Sequence, residues 1–237
     1  MKKVIDLPGA LLIAKGLLFS LGLTGSALAC AGTVHVHVID AHGKPVPEAV
    51  ASLDPVNAPK AHVAPAGSLH AVMDQKGLSF VPQVLPVRVG TLVDFPNSDQ
   101  VRHHVYSFSR AKSFELRLYA GTHAPPVLFD KAGVVVLGCN IHDWMLGYIV
   151  VLDTPYFGKT GAHGRASLSH VPPGSYVLHL WHPLLKGAKK VLARPVEVTA
   201  HGVLQEDFTV SLHAPELTNK PPPGLDIDQG GATHALH

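Results

Sequence analysis

The chain has 237 residues, 46% of them hydrophobic, and its 19 basic and 17 acidic side chains leave a formal net charge of +2. With no basic stripe, this balance argues against a nucleic-acid partner. No segment beyond the N-terminal region is an apolar run of the roughly 20 residues a membrane span needs, so the mature protein is expected to be soluble.

Met1-Lys2-Lys3 is a positive start, and Leu11 to Gly25 is apolar apart from Lys15 and a few small polar residues. Ala27-Leu28-Ala29 and Ala29-Cys30-Ala31 both have the form of a cleavage site. Residues 1–29 therefore read as a secretory signal, with a second cleavage option after 31, and the mature chain is expected in the periplasm. Ala27 stands where a lipoprotein signal usually carries a branched aliphatic residue, so a lipid anchor on Cys30 is the weaker reading.

Val34-His35-Val36-His37-Val38 alternates strictly, which places valines on one strand face and histidines on the other. His35 and His37 can chelate a metal from that face, but a solvated strand face is the simpler account. Asp40 to Pro45 is a turn, and Glu48 to Leu53 a second strand. The pattern changes near Leu69. Leu78 to Pro82 leads into Leu85 to Phe95, a strand, a turn at Gly90 and another strand. Pro96 to Asp99 opens a loop. His103 to Phe108, Phe114 to Tyr119, Val127 to Asp130, Gly133 to Leu137 and Gly147 to Leu152 follow as strands.

Gly164 to Val171 and Gly174 to Pro183 are two strands about a Pro-Gly turn, and Val196 to Thr199 and Leu204 to Leu212 add two more. Residues 214–237 carry Pro221-Pro222-Pro223-Gly224 and Gly230-Gly231 with few apolar side chains, and are expected to be a disordered tail. His234 and His237 in that tail would bind metals only adventitiously. No amphipathic helix of ordinary length stands out. The expected fold class is all-β.

The chemistry concentrates in Cys139-Asn140-Ile141-His142-Asp143-Trp144-Met145. A thiolate, an imidazole and a thioether fall within seven residues. Two histidines, a cysteine and a weak axial methionine are the donor set of a blue-copper site. The missing imidazole can come from His103 or His104. Soft sulfur donors favour Cu(I), imidazole suits both oxidation states, and a short loop between strands holds the donors nearly rigid. A structural zinc site usually has more than one cysteine, and thioether is a poor zinc ligand. A cysteine-nucleophile hydrolase would leave Met145 without a role. Cys139 and Cys30 are the only cysteines, and cleavage removes Cys30 or leaves it at the frayed end. An unpaired exposed thiol is a liability in an oxidising compartment, and metal ligation would protect Cys139.

The stretch from Leu69 to Leu152 resembles the cupredoxins, the family of plastocyanin, pseudoazurin and amicyanin. The residues that carry the resemblance are Phe80-Val81-Pro82, Val89-Gly90-Thr91-Leu92-Val93-Asp94-Phe95, Asn97, His103, Phe129, Gly133, Cys139, His142, Met145, Gly147 and Ile149. The short ligand spacing looks most like amicyanin. The resemblance implies a Greek-key β-sandwich over residues 62–153 holding one Cu(I)/Cu(II) ion. It implies His103, Cys139 and His142 as equatorial ligands and Met145 as the axial one. It also implies that an edge of His142 is exposed in an apolar patch, with Trp144 and Leu146 as candidates, where a redox protein partner docks. Two positions depart from the family pattern. His104 stands where many cupredoxins carry an asparagine, so it competes with His103; strand alternation sends the two to opposite faces, and His103 is preferred. Leu137-Gly138 replaces the aromatic that often precedes the cysteine.

The flanks resemble a second family. Val38-Ile39-Asp40-x2-Gly43-Lys44-Pro45 looks like the opening of a carboxypeptidase-regulatory-like, transthyretin-like sandwich, and Gly164 to Leu178 like its later half. The expected organisation is a discontinuous sandwich over 32–57 and 154–213 with the cupredoxin inserted in it. The whole is similar to secreted bacterial chains labelled methylamine utilization protein. The expected function is a type I copper protein, not an enzyme, that carries single electrons. Copper binding and delivery, a mononuclear copper enzyme with an open coordination position, and a structural sandwich without metal are the alternatives.

Overall fold

The computed structural model describes residues 31–57, 65–120, 124–187, 190–214 and 219–221. The signal segment 1–29, Cys30, and the tail histidines His234 and His237 lie outside the described residues. Among those described there is no helix at all, and so none long and apolar enough to cross a membrane. The fold is all-β.

Its strands are, in order, β1 (Gly32–Asp40), β2 (Val50–Pro55), β3 (Leu69–Val72), β4 (Asp74–Gln75), β5 (Phe80–Val81) and β6 (Val84–Arg88). Next come β7 (Thr91–Asp94), β8 (His103–Phe108), β9 (Ser113–Tyr119), β10 (Val127–Phe129), β11 (Gly133–Cys139) and β12 (Leu146–Leu152). The last are β13 (Phe157–Lys159), β14 (Arg165–Val171), β15 (Gly174–Trp181), β16 (Val191–Val198) and β17 (Val203–Val210).

Strands from the two ends of the chain share two sheets, ordered β14-β1-β17 and β13-β2-β15-β16. The alternation in β1 decides how the first one packs. Val34, Val36 and Val38 are buried, and meet Leu53, Leu168, Leu178, Leu180 and Phe208 in one apolar core. His35 and His37 take the other face, where His37 lies 3.5 Å from Asp207. β1 runs parallel to β17 and antiparallel to β14. The strands between make a five-stranded sheet, β6-β12-β11-β8-β9, a three-stranded sheet, β10-β7-β3, and the pair β4-β5. Their own core holds Phe80, Phe95, Phe129, Leu137 and Ile149. A smaller cluster of Val50, Trp181, Val84 and Val150 joins the two sets of strands. Beside it, Lys159 Nζ donates to the Glu48 carboxylate (2.8 and 2.9 Å) and to the Val84 carbonyl, while Val84 N–H donates to Glu48.

Four strands were not anticipated from the pattern: β3, β4, β5 and β13. Each is four residues or fewer. Such runs are too short for a periodicity to register. A second difference lies in the tail. Asn219 is 5% exposed and hydrogen-bonded to β5, where the composition led us to expect disorder.

His182, at the end of β15, gives the outer strands a pH dependence. Burial pushes its ring down to about 4 from 6.5, against a bond to the Pro47 carbonyl that acts upward. The unfolded chain therefore takes up a proton near pH 6.5 while the folded chain stays neutral. Stability from this group is complete above pH 6.5 and is lost as pH falls toward 4, by about 3 kcal/mol in all. Urea unfolding across this range should show the wild type losing more stability than His182→Asn; equal slopes would exclude the assignment.

Candidate metal centre

The site forms where β8 begins and β11 ends. Cys139 closes β11, and its backbone pairs with Val105 of β8. Alternation along β8 turns His103 inward, at 0% exposed, and His104 outward. The loop from Asn140 to Met145 then folds back. Asn140 N–H donates to the His104 carbonyl, and Met145 N–H to the His142 carbonyl at 3.0 Å, which closes the turn carrying His142.

Three donor atoms converge. Cys139 Sγ lies 3.7 Å from His103 Nδ1 and 3.8 Å from His142 Nδ1, and the two nitrogens are 3.2 Å apart. A point equidistant from these corners is about 2.1 Å from each, which suits metal–nitrogen and metal–sulfur bonds of roughly 2.0–2.3 Å. Among the described residues this is the one such cluster of histidine, cysteine and carboxylate groups. Met145 is 1% exposed and shares with Cys139 the lining of a groove of about 480 Å³. The donor chemistry of one thiolate, two imidazoles and a nearby thioether fits copper better than zinc or a hard cation. His104 stands outside the cluster, with its Nε2 against Glu115 at 2.8 Å.

The surroundings prepare these groups for a metal. Burial alone would push the Cys139 thiol up, but bonds from His103, His142 and the backbone at His104 and Ile141 outweigh it and bring it down to about 5. The sulfur is therefore a thiolate near neutral pH, the form that ligates. Burial also draws the His103 ring down, and its contacts with Cys139 and Asp99 overcome this and raise it.

Asp99 is the residue that sequence reasoning missed. Its Oδ2 lies 2.9 Å from His103 Nε2. It is itself held by the N–H groups of Gly77 (2.6 Å) and Leu78 (3.0 Å). A carboxylate at Nε2 keeps that nitrogen protonated and leaves the Nδ1 lone pair facing the cluster. The sequence showed Asp99 only as part of a Pro-Asn-Ser-Asp loop; its spacing of four residues before His103 was the available signal. Asp99→Ala should weaken metal binding about 10–100-fold, with Asp99→Asn in between. Competition against a chelator of known affinity measures this, and unchanged affinity would remove Asp99 from the account.

Around the mouth, His142 is half-buried and its ring sits 5.2 Å from that of Trp144. Trp144 and Leu146 are also half-buried, and Trp144 Nε1–H donates to the Leu78 carbonyl. Ile141, at 51% exposed, is the more open apolar side chain of this loop and was not anticipated. At Gly138, a Cβ would lie 2.8 Å from the Tyr106 ring. Tyr106 is the cross-strand partner of Gly138. An aromatic from β8 thus covers the place next to Cys139 that Gly138 leaves open.

No protein-family model matches the chain, and no curated protein matches it. Among solved structures it is similar to an oxidized amicyanin mutant, with 25% identity over 36% of this chain and 83% of that one and a TM-score of 0.32. It is similar to a purple cupredoxin from Nitrosopumilus maritimus, with 22% identity over 36% and 100% of the two chains and a TM-score of 0.31. It is also similar to a copper-containing nitrite reductase from Thermus scotoductus SA-01, with 25% identity over 49% and 28% and a TM-score of 0.33.

Proposed function

We propose that this chain is a type I copper protein that carries single electrons between redox protein partners in the periplasm. His103, Cys139 and His142 would hold the copper, with Met145 as a further, weaker donor. The observation that carries the reading is the triangle of Cys139 Sγ and two imidazole nitrogens, already spaced for one ion. Rigidity supports it. Asn140 and Trp144 each tie the loop to the rest of the chain by a hydrogen bond, and Met145 N–H braces it from within on the His142 carbonyl. Donors that cannot relax between Cu(I) and Cu(II) keep the reorganisation cost small, which is what a carrier needs. Bound copper would supply the one-electron couple. The chain's own residues hold it, shield it and present the half-buried His142 edge, with Trp144 and Leu146 beside it, to a partner.

The reading extends to the organisation of the chain. Residues 62–153 are a cupredoxin module inserted into a carboxypeptidase-regulatory-like sandwich made of 32–57 and 154–213. The separate sheets and the two cores support this division. The outer sandwich serves as scaffold or docking surface.

Loading the purified protein with Cu(II) and recording visible and electron-spin spectra tests the proposal. Intense blue colour with narrow copper hyperfine splitting is expected; failure to bind copper sinks it. His142 is half-buried and so gives the site an edge toward solvent, and this favours a second reading, an open coordination position suited to catalysis. Added azide separates the two, because a closed site keeps its spectrum and an open one does not.

A further inference from the structure

Asn219 comes from far along the chain to the edge of the metal centre. Its backbone has φ 53°, a left-handed conformation that asparagine tolerates better than most residues. Both ends of its carboxamide are bonded. Oδ1 accepts from Phe80 N–H at 2.9 Å and from Leu146 N–H at 3.3 Å, and Nδ2 donates to the Phe80 carbonyl at 2.8 Å. The side chain therefore imitates a peptide unit and pairs with β5 as a neighbouring strand would. The same oxygen reaches β12 at the residue that follows Met145. Nearby contacts run the same way. Trp144 donates to Leu78, and a Cβ at Gly147 would lie 3.0 Å from Phe80. Phe80 and its neighbours are thus the wall against which the second half of the ligand loop is set. Asn219 is the buried group that bonds both sides of that joint.

We propose that Asn219 is a positioning residue that locks the ligand loop against β5 and thereby fixes Met145 at the copper. The functional part rests on the copper reading above; the clamp itself does not. Without the carboxamide, the amides of Phe80 and Leu146 and the Phe80 carbonyl lose a partner that water must replace, and the joint can open. Copper held by a loop that opens at its methionine end leaves more readily.

The test uses the full mature chain as wild type, Asn219→Ala and Asn219→Asp. In the metal-free proteins, hydrogen exchange of the Phe80 and Leu146 amides should quicken at least tenfold in Asn219→Ala. The amides of Val135 and Ile149 should keep their wild-type rates. Asn219→Asp keeps the acceptor and loses the donor, so it should fall between. In the copper-loaded proteins, transfer of Cu(I) to a chelator should quicken tenfold or more in Asn219→Ala, again with Asn219→Asp between. Unchanged exchange at Phe80 and Leu146, or an equal rise at Val135 and Ile149, would overturn the clamp. Unchanged copper transfer with altered exchange would overturn its role at the metal. If the wild type holds no copper, the copper reading and the role at the metal fall together, while exchange still decides the clamp. If Asn219→Ala does not fold, Asn219→Asp carries the same comparisons.

Discussion

Cys139→Ser is expected to abolish the blue colour of the copper-loaded protein and to lower copper affinity by several orders of magnitude. The thiolate is the sole sulfur anion at the site, and it is already ionised near neutral pH because two imidazoles and two backbone groups outweigh its burial. A serine hydroxyl at this place stays protonated and offers a hard, neutral oxygen where a soft anion is required. The fold should persist, since the exchange alters one atom at the end of β11 and leaves the core of Phe80, Phe95, Phe129 and Leu137 in place. Circular dichroism and copper titration on the same sample separate the two effects. A variant that folds, binds copper and keeps an unchanged spectrum would falsify the ligand assignment and the electron-carrier reading with it.

The largest effect expected on stability comes from Gly164→Ala. Gly164 has φ +68°, and a Cβ there would lie 2.3 Å from the carbonyl oxygen of Val38, 3.1 Å from Val46 N and 3.3 Å from Pro45 Cα. Those are backbone atoms, with no flexible side chain to step aside. The same place carries three close backbone bonds: Val38 N–H to the Gly164 carbonyl, Gly164 N–H to the Gly161 carbonyl, and Val46 N–H to the Val38 carbonyl. The left-handed conformation costs alanine about 1–2 kcal/mol. Displacing Val38 or breaking its bonds adds to that, for a total on the order of 3–5 kcal/mol. Denaturant unfolding should show a large drop in midpoint. Gly164 lies before β14, away from the candidate metal centre, so the folded copper-loaded protein should keep its visible spectrum. A midpoint within experimental error of wild type would show that the turn can move away from β1.

Residue order alone carried a good part of this molecule. The Val-rich runs cut by Gly, Pro, Asn and Asp define an all-β chain, and the strict alternation from Val34 to Val38 names the buried face of β1, which is the face observed. Strand alternation also separates His103 from His104, and in the structure the two do point to opposite sides, one to Cys139 and one to Glu115. The approach of Cys139 to His142 was legible because the two lie three residues apart, a distance over which local geometry decides what can meet.

What the order of residues could not supply is everything that depends on two distant segments arriving at one place. Asp99 becomes the partner of His103 because Gly77 and Leu78, from the turn between β4 and β5, hold it there. Tyr106 covers Gly138 because β8 and β11 pair in that register. Asn219 reads as one polar residue in a proline-rich tail until the fold sets it against Phe80 and Leu146. The parallel pairing of β1 with β17 joins the first strand of the described residues to the last. Periodicity reports which face of a strand is apolar, a property of a few neighbouring residues. Pairing and register are settled only when whole sheets bury their apolar faces together, because a polar group finds its partner where that burial leaves it.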